Sequence, residues 1–259
     1  MPGGTIALTH VPSPRMDACV RTFAAVETID LGRVAEQHAA YRTALERAGA
    51  TVEVLDDNRE HPDAVFIEDA AIVLDEVAIL CSPAPEARRA EPAGIAPALA
   101  RHRRVVAILP PATIEGGDVL RVGRTILVGR TGRTNGEGIA ALVAIAAPLG
   151  YAVVPVDVRG CLHLKTACTA LPDGALLVNP GLLPDLGALE AAFPLVAIDP
   201  REPLAANVVA IGDAVVAGAY PRTAERIAPH ARDVIVVDLG ELAKADGSAT
   251  CLSILIAGR

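Results

Sequence analysis

The chain has no tryptophan and only three phenylalanines and three tyrosines in 259 residues. A core without aromatic bulk must come from small aliphatic side chains, and residues of hydrophobic type make up 52% of the sequence. The same scarcity removes the stacking platforms that hold single-stranded nucleic acid. No cluster of Lys and Arg follows a helical stretch and the formal net charge is −8, so a polyanionic partner is disfavoured. An acidic balance suits a cationic small substrate instead. No apolar run approaches the length of a membrane span, and the N-terminus shows no basic-then-apolar signal pattern, so neither a membrane nor a secreted setting is indicated and a cytoplasmic one is expected. Five cysteines, an odd number without a CxxC pair, exclude a disulfide scaffold and a metal finger. Cys19, Cys81, Cys161 and Cys168 read as small packing residues. Cys251 differs, because it follows the turn-forming string DGSAT (246–250) and opens a closing apolar strand.

What the sequence does contain is a repeat. Asp69, Glu115, His163, Asn207 and Cys251 recur at spacings of 46, 48, 44 and 44, each beside a short apolar run. A period near 50 with a reactive residue at one phase of each unit is expected of a ring of repeats that sends one side chain per unit to the axis. Each unit reads as hairpin, helix, strand. The first hairpin strands are expected at 65–74, 115–122, 161–171 and 206–211, with turns at Asp75-Glu76, Gly123-Arg124, Asp173-Gly174 and Gly212-Asp213. The second strands begin at Val77, Thr125, Ala175 and Ala214 and are continuously apolar, which suits burial on both faces. The fifth unit is split between 251–258 and 4–10, so pairing of the two termini would close the ring and remove exposed sheet edges. The repeat count favours one domain over residues 1–259.

A thiol, an imidazole, carboxylates and an amide at one axis make a nucleophilic site. Singly, each has an ordinary reading: a strand-end cysteine is usually structural, and a lone histidine among apolar residues is usually a satisfied core group. Their shared repeat phase brings His163 and Cys251 together, giving a thiolate and a proton carrier. Glu68 and Asp69 adjoin inside an apolar stretch, where burial of charge is costly unless a cation is bound. Glu115 precedes Gly116-Gly117, and those glycines would let another group approach the backbone closely. Arg88 and Arg133 could remain surface charges, or together grip a carboxylate in forked geometry.

The strings HPDAVFIED, PAPEARRAE, TIEGGDVL, GRTGRTNGEG, CLHLKTA, AAN, AYPRT and DGSATCLSI resemble, in order and spacing, the motifs of the dimethylarginine dimethylaminohydrolases, members of the guanidino-modifying pentein superfamily. The resemblance runs from about residue 5 to the C-terminus and implies an α/β fold, the five-bladed propeller of the penteins. It implies hydrolysis of methylated arginine through a covalent intermediate on Cys251, with His163 as acid and then base and Glu115 orienting the imidazole. Glu68 and Asp69 would face the guanidinium, Asp63 the α-ammonium, and Arg88 and Arg133 the α-carboxylate. Backbone carbonyls near Val20, in a lid-like stretch, and near Ala245 would add two contacts. The resemblance implies no metal and no organic cofactor, and a Zn²⁺ bridging Cys251 and His163 would block the pair. The partner is a small molecule rather than nucleic acid or membrane, and a homodimer stays open.

Three departures from the family pattern stand out: His61 where an apolar residue is usual, Ala64 where a small polar one is common, and a divergent lid. A related deiminase or amidinotransferase is the enzymatic alternative, and a pentein binding module the non-enzymatic one. The module has no reason to keep Cys, His and acid at matching repeat positions.

Overall fold

A computed structural model describes residues 4–258. Residues 1–3 and 259 of the expected 1–259 domain lie outside the described residues. In chain order the elements are β1 (Ile6–His10), α1 (Leu31–Arg47), β2 (Thr51–Leu55), β3 (Ala71–Val73), β4 (Val77–Leu80), α2 (Glu91–Ala100), β5 (Arg104–Ala107), β6 (Val119–Val122), β7 (Thr125–Arg130), α3 (Gly136–Ala146) and β8 (Ala152–Asp157). They continue with α4 (Leu164–Ala167), β9 (Cys168–Ala170), β10 (Leu176–Val178), α5 (Gly187–Ala192), β11 (Leu195–Ala197), β12 (Val208–Ile211), β13 (Ala214–Gly218), α6 (Pro221–Ile227), β14 (Asp233–Val237), α7 (Gly240–Ala243) and β15 (Ile254–Ile256).

These strands form five three-stranded sheets, β3-β4-β5, β6-β7-β8, β9-β10-β11, β12-β13-β14 and β15-β1-β2. In each, the middle strand pairs antiparallel with one neighbour and parallel with the other, so four blades are a hairpin followed by a helical crossover and the fifth has the same pairing. The fifth blade joins the two ends of the chain, with Ile6 opposite Ile256 and Leu8 opposite Ile254. Five apolar cores alternate with the five blades, one between each adjacent pair, which closes the ring. The middle strands are buried as their apolar runs require: Val77 to Ile79, Ile126 to Val128 and Leu176 to Val178 are each at most 1% exposed. The fold is the five-bladed α/β propeller expected from the repeat.

The crossover helix α1 shows how local sequence makes the blade. Asp30 caps it, its Oδ1 accepting from the N–H of Gly32 (2.9 Å) and Arg33 (3.1 Å). Val34, Gln37, His38, Tyr41, Ala44 and Leu45 then fall on one buried face at helical spacing. The Tyr41 hydroxyl lies 2.8 Å from Ser253 Oγ and ties this helix to the chain beside Cys251.

The structure corrects one expectation. The reactive residues do not sit within long first strands, because the strand parts are only 71–73, 119–122, 168–170, 208–211 and 254–256. A short helical turn or irregular residue precedes each strand: Ile67–Ala70, Gly116–Asp118, Leu164–Ala167 and Thr250–Leu252 are such turns. A strand buried on both faces offers no polar outlet, whereas a turn aims side chains and N–H groups along the ring. Asp69 Oδ1 accepts from Gly117 N (3.2 Å), Asp118 Oδ1 from Leu164 N (2.9 Å), Thr169 Oγ1 from Val208 N (3.3 Å) and Asn207 Oδ1 from Thr250 N (2.8 Å). Thr250 Oγ1 donates to Glu68 Oε2 at 2.6 Å and completes the circuit. Each blade's polar residue therefore satisfies the backbone or side chain of the next.

Candidate active site

One end of this ring gathers most of the residues that the sequence singles out. Asp69, Glu115 and His163 are buried and offer ligand atoms that all lie within 4.8 Å of one another. His163 Nε2 is 2.7 Å from Glu115 Oε2 and 3.8 Å from Asp69 Oδ1. Gly117 makes this possible: a Cβ there would stand 2.5 Å from His163 Nδ1 and 2.9 Å from Asp69 Oδ1. The close approach expected at the paired glycines is thus an imidazole and a carboxylate packed on bare backbone. The trio has donor types a metal could use, but Arg88 already engages Asp69 and Arg133 and His163 already engage Glu115.

Charge is densely packed here. Burial opposes protonation of His163, yet Asp69, Glu115 and Asp118 together raise its pKa to about 9, so the ring is an imidazolium at neutral pH. Burial also acts on Asp69, but His163 and Arg88 overcome it and hold the carboxyl below its usual range. Glu68 is shifted the other way, burial outweighing the contact of Lys165 Nζ at 2.7 Å. Asp118, which accepts from Thr131 Oγ1 (2.6 Å) and Thr134 Oγ1 (2.7 Å) as well as Leu164 N, is likewise raised by burial. Cys251 is half-buried on the 250–252 turn, and burial followed by the charges of Glu68 and Asp69 pushes its thiol up. Thr250, next to it, is fixed by Asn207 (Nδ2 to Oγ1, 3.0 Å) and Glu68, which anchors the cysteine's turn. Asn207 therefore positions the turn rather than joining the acid–imidazole cluster.

Asp63 is buried and accepts from the N–H of Val20 at 3.1 and 3.3 Å, so these two predicted residues meet. Ala245 is buried one residue before Asp246, whose φ of 59° turns the chain into the Cys251 loop. The forked arginine pair is not assembled as an open grip. Arg88 spends its Nε and Nη2 on Glu91, its Nη2 also on Phe66 O and its Nη1 on Asp69 at 2.7 Å. Arg133 gives Nη1 to Glu115 at 3.2 Å and Nη2 to Thr22 Oγ1 at 3.0 Å. Four residues without an expected role also belong to the site: Glu91, Asp118, Lys165 and Thr250. All lie inside the strings quoted above, and the legible signal for Asp118 and Lys165 was a charge inside an otherwise apolar element.

Comparison with known proteins shows the family. A family model described as N,N dimethylarginine dimethylhydrolase, eukaryotic, matches residues 12–185. An N(G),N(G)-dimethylarginine dimethylaminohydrolase of Streptomyces coelicolor is 42% identical over 251 residues, covering 96% of this chain and 95% of the relative. The chain belongs to the dimethylarginine dimethylaminohydrolase family. Another family member, from Pseudomonas aeruginosa, is 33% identical over 228 residues, covering 87% of this chain and 89% of its own. A solved structure of the Pseudomonas aeruginosa dimethylarginine dimethylaminohydrolase, a cysteine-to-serine mutant complexed with citrulline, superposes with a TM-score of 0.92. It is 30% identical and the match covers 98% of this chain and 99% of that one.

Proposed function

We propose that this chain, acting as one catalytic domain, hydrolyses Nω,Nω-dimethyl-L-arginine to L-citrulline and dimethylamine, and Nω-monomethyl-L-arginine to L-citrulline and methylamine. The observation that carries this reading is the charge balance around Cys251 and His163. Six carboxylates, Asp63, Glu68, Asp69, Glu91, Glu115 and Asp118, are buried with the cations Arg88, Arg133 and Lys165 and the His163 ring. Acids outnumber cations, burial raises the pKa of Asp63, Glu68, Glu91 and Asp118, and a cationic guanidinium bound among them would offset that excess of acid. Family membership and the citrulline complex of the Pseudomonas relative support the same substrate class.

A guanidinium carbon is a poor electrophile because three nitrogens share its charge, so carboxylates must hold it while a strong nucleophile attacks. Glu68 and Asp69 are assigned that grip, with Glu115 touching the guanidinium and orienting His163. A cation seated against Glu68 and Asp69 also offsets the two charges that, after burial, hold the Cys251 thiol protonated, so substrate itself favours loss of the thiol proton to solvent. Sulfur adds to the carbon, His163 as imidazolium gives its proton to the departing alkylamine, and the C–N bond breaks to leave an S-alkylthiouronium. The neutral imidazole then takes a proton from water as the oxygen attacks the same carbon. Collapse breaks the C–S bond and returns the thiolate, and the ureido group loses the hydroxyl proton to solvent to give citrulline. Asp63 and the carbonyl of Val20 are assigned to the α-ammonium, Arg88 and Arg133 to the α-carboxylate, and the carbonyl of Ala245 to a further substrate contact. Arg133 would exchange Thr22 for the substrate, and Arg88 would use its remaining Nη1 N–H.

No helix among the described residues is long and apolar enough to cross a membrane, and we infer a cytoplasmic protein acting on a freely diffusing small molecule. The decisive assay incubates the purified chain with dimethylarginine, monomethylarginine, arginine and simple guanidines while citrulline and released amine are measured. Equimolar citrulline and dimethylamine are expected. Ammonia release from unmodified arginine, with methylated substrates inert, would reassign the chain to deiminase chemistry.

A further inference from the structure

The segment 20–29 crosses the site without regular secondary structure. Apart from Arg21, which donates to Asp17 O at the root of the segment, its hydrogen bonds to the rest of the described residues involve side chains of the body: Asp63 to Val20, Arg133 to Thr22, Lys244 to Thr28 and, above all, Asp246. The Asp246 carboxylate accepts three successive backbone N–H groups, from Thr22 (2.6 Å), Phe23 (3.0 Å) and Ala24 (2.6 Å). Three converging amides form a nest for an anion, and here the chain's own carboxylate fills it. A segment tied down by side chains alone can lift without breaking a sheet or a helix.

Asp246 is also built into the other side of the site. Its φ of 59° is a left-handed conformation that Asp tolerates better than most residues. The N–H groups of Ala245 and Gly247 on either side both donate to Leu242 O, at 3.0 and 3.1 Å. At Gly247 any Cβ would strike the Phe66 ring and the Leu242 carbonyl, so the loop has no room to shift. The carboxylate is therefore aimed from a rigid turn five residues before Cys251.

Resting on the reading above, we propose that Asp246 is a positioning residue, a latch that couples closure of the 20–24 lid to the loop carrying Cys251. With the latch made, the Val20 backbone stays beside Asp63 at the ammonium end of the substrate; with it broken, substrate meets an open site. Asp246 touches neither the reacting atoms nor His163, so the latch acts on binding.

The test pairs kinetics with amide hydrogen exchange on the full chain. Asn keeps the left-handed backbone but removes the charge, and Gly relieves the backbone while removing the acceptor. Both Asp246→Asn and Asp246→Gly should raise KM for dimethylarginine about ten-fold, as expected for lost charge-assisted bonds, with kcat within about two-fold. Exchange at the amides of Thr22, Phe23 and Ala24 should accelerate in both variants while global stability stays near wild type. Ala24→Pro deletes one donor from the lid side, so it should reproduce the KM rise even if changes at Asp246 prevent folding. Exchange at these amides and KM both unchanged in Asp246→Gly would mean that the residue serves only the turn, and would overturn the latch. The exchange readout needs no turnover, so it stands even if wild type proves inactive on methylarginines.

Discussion

His163 Nε2 stands 2.7 Å from Glu115 Oε2, with both side chains shut away from solvent. Burial would keep the ring neutral, but the charge of Asp69, that contact and Asp118 together outweigh it and raise the pKa to about 9. An NMR titration of the His163 ring should therefore show a transition near pH 9, and Glu115→Gln should move it downward because the imidazolium loses its nearest anion. By linkage, a pKa raised above its unfolded value near 6.5 gives stability that is complete below that pH and lost as pH rises through about 9. Denaturant midpoints measured between those values should fall more steeply in wild type than in His163→Gln.

Gly117 accounts for how close that imidazole comes to the backbone. Gly117→Ala would put a methyl 2.5 Å from Nδ1, forcing the ring or the 116–118 turn to move. We expect a stability loss of about 1–3 kcal/mol from overpacking. A displaced imidazole should also lower kcat by about 100-fold, the effect of misplacing a catalytic group by about 1 Å. Thermal unfolding and steady-state kinetics measure the two losses separately.

Lys165 Nζ pairs with Glu68 Oε1 at 2.7 Å and also donates to Gly116 O at 3.1 Å. Lys165→Met leaves Glu68 buried without its cation and should cost about 3–5 kcal/mol in urea unfolding. The double variant Lys165→Met/Glu68→Gln should recover most of that loss, because the uncompensated charge goes with it. Equal destabilisation in single and double variants would show that packing of the lysine stem, not pairing, is what matters.

Arg133 donates through Nη1 to both oxygens of Glu115 and through Nη2 to Thr22. If it holds the substrate carboxylate, Arg133→Ala should weaken binding of methylarginine by about 1.5–3 kcal/mol, the worth of a charged hydrogen bond. The penalty should nearly vanish with a decarboxylated analogue such as a methylated agmatine. Asp69→Asn should penalise both ligands alike. Dissociation constants for the four pairs decide the orientation of the substrate.

How far the sequence could be read follows from these same residues. The repeat of polar residues at near-constant spacing revealed the ring, because one side chain per blade must reach the axis, and the apolar middle strands located the sheets. The turns ahead of the strands were not legible: VFIEDAAIVL and CLHLKTACTAL are mostly apolar and carry no Gly or Pro to mark a break, and the bonds that accompany the bend run across blades, such as Asp118 to Leu164. Glu68 and Asp69 were visible as charges that an apolar stretch could not bury unaided. Their pairings were not, since Lys165 reaches Glu68 from a blade far away in sequence and Arg88 reaches Asp69 from a turn whose direction the sequence does not specify. Asp246 looked like one residue of a polar loop, because its three donors lie more than 200 positions away.

Cys251 Sγ is the proposed atom that takes up the guanidinium carbon. Wild-type protein quenched in acid during turnover of dimethylarginine should carry, by intact and peptide mass spectrometry, an adduct on the peptide containing Cys251. The adduct should decay as citrulline forms and be absent from Cys251→Ser, which should bind substrate without turning it over. Full turnover by Cys251→Ser, or an adduct found on another residue of the wild type, would contradict that role.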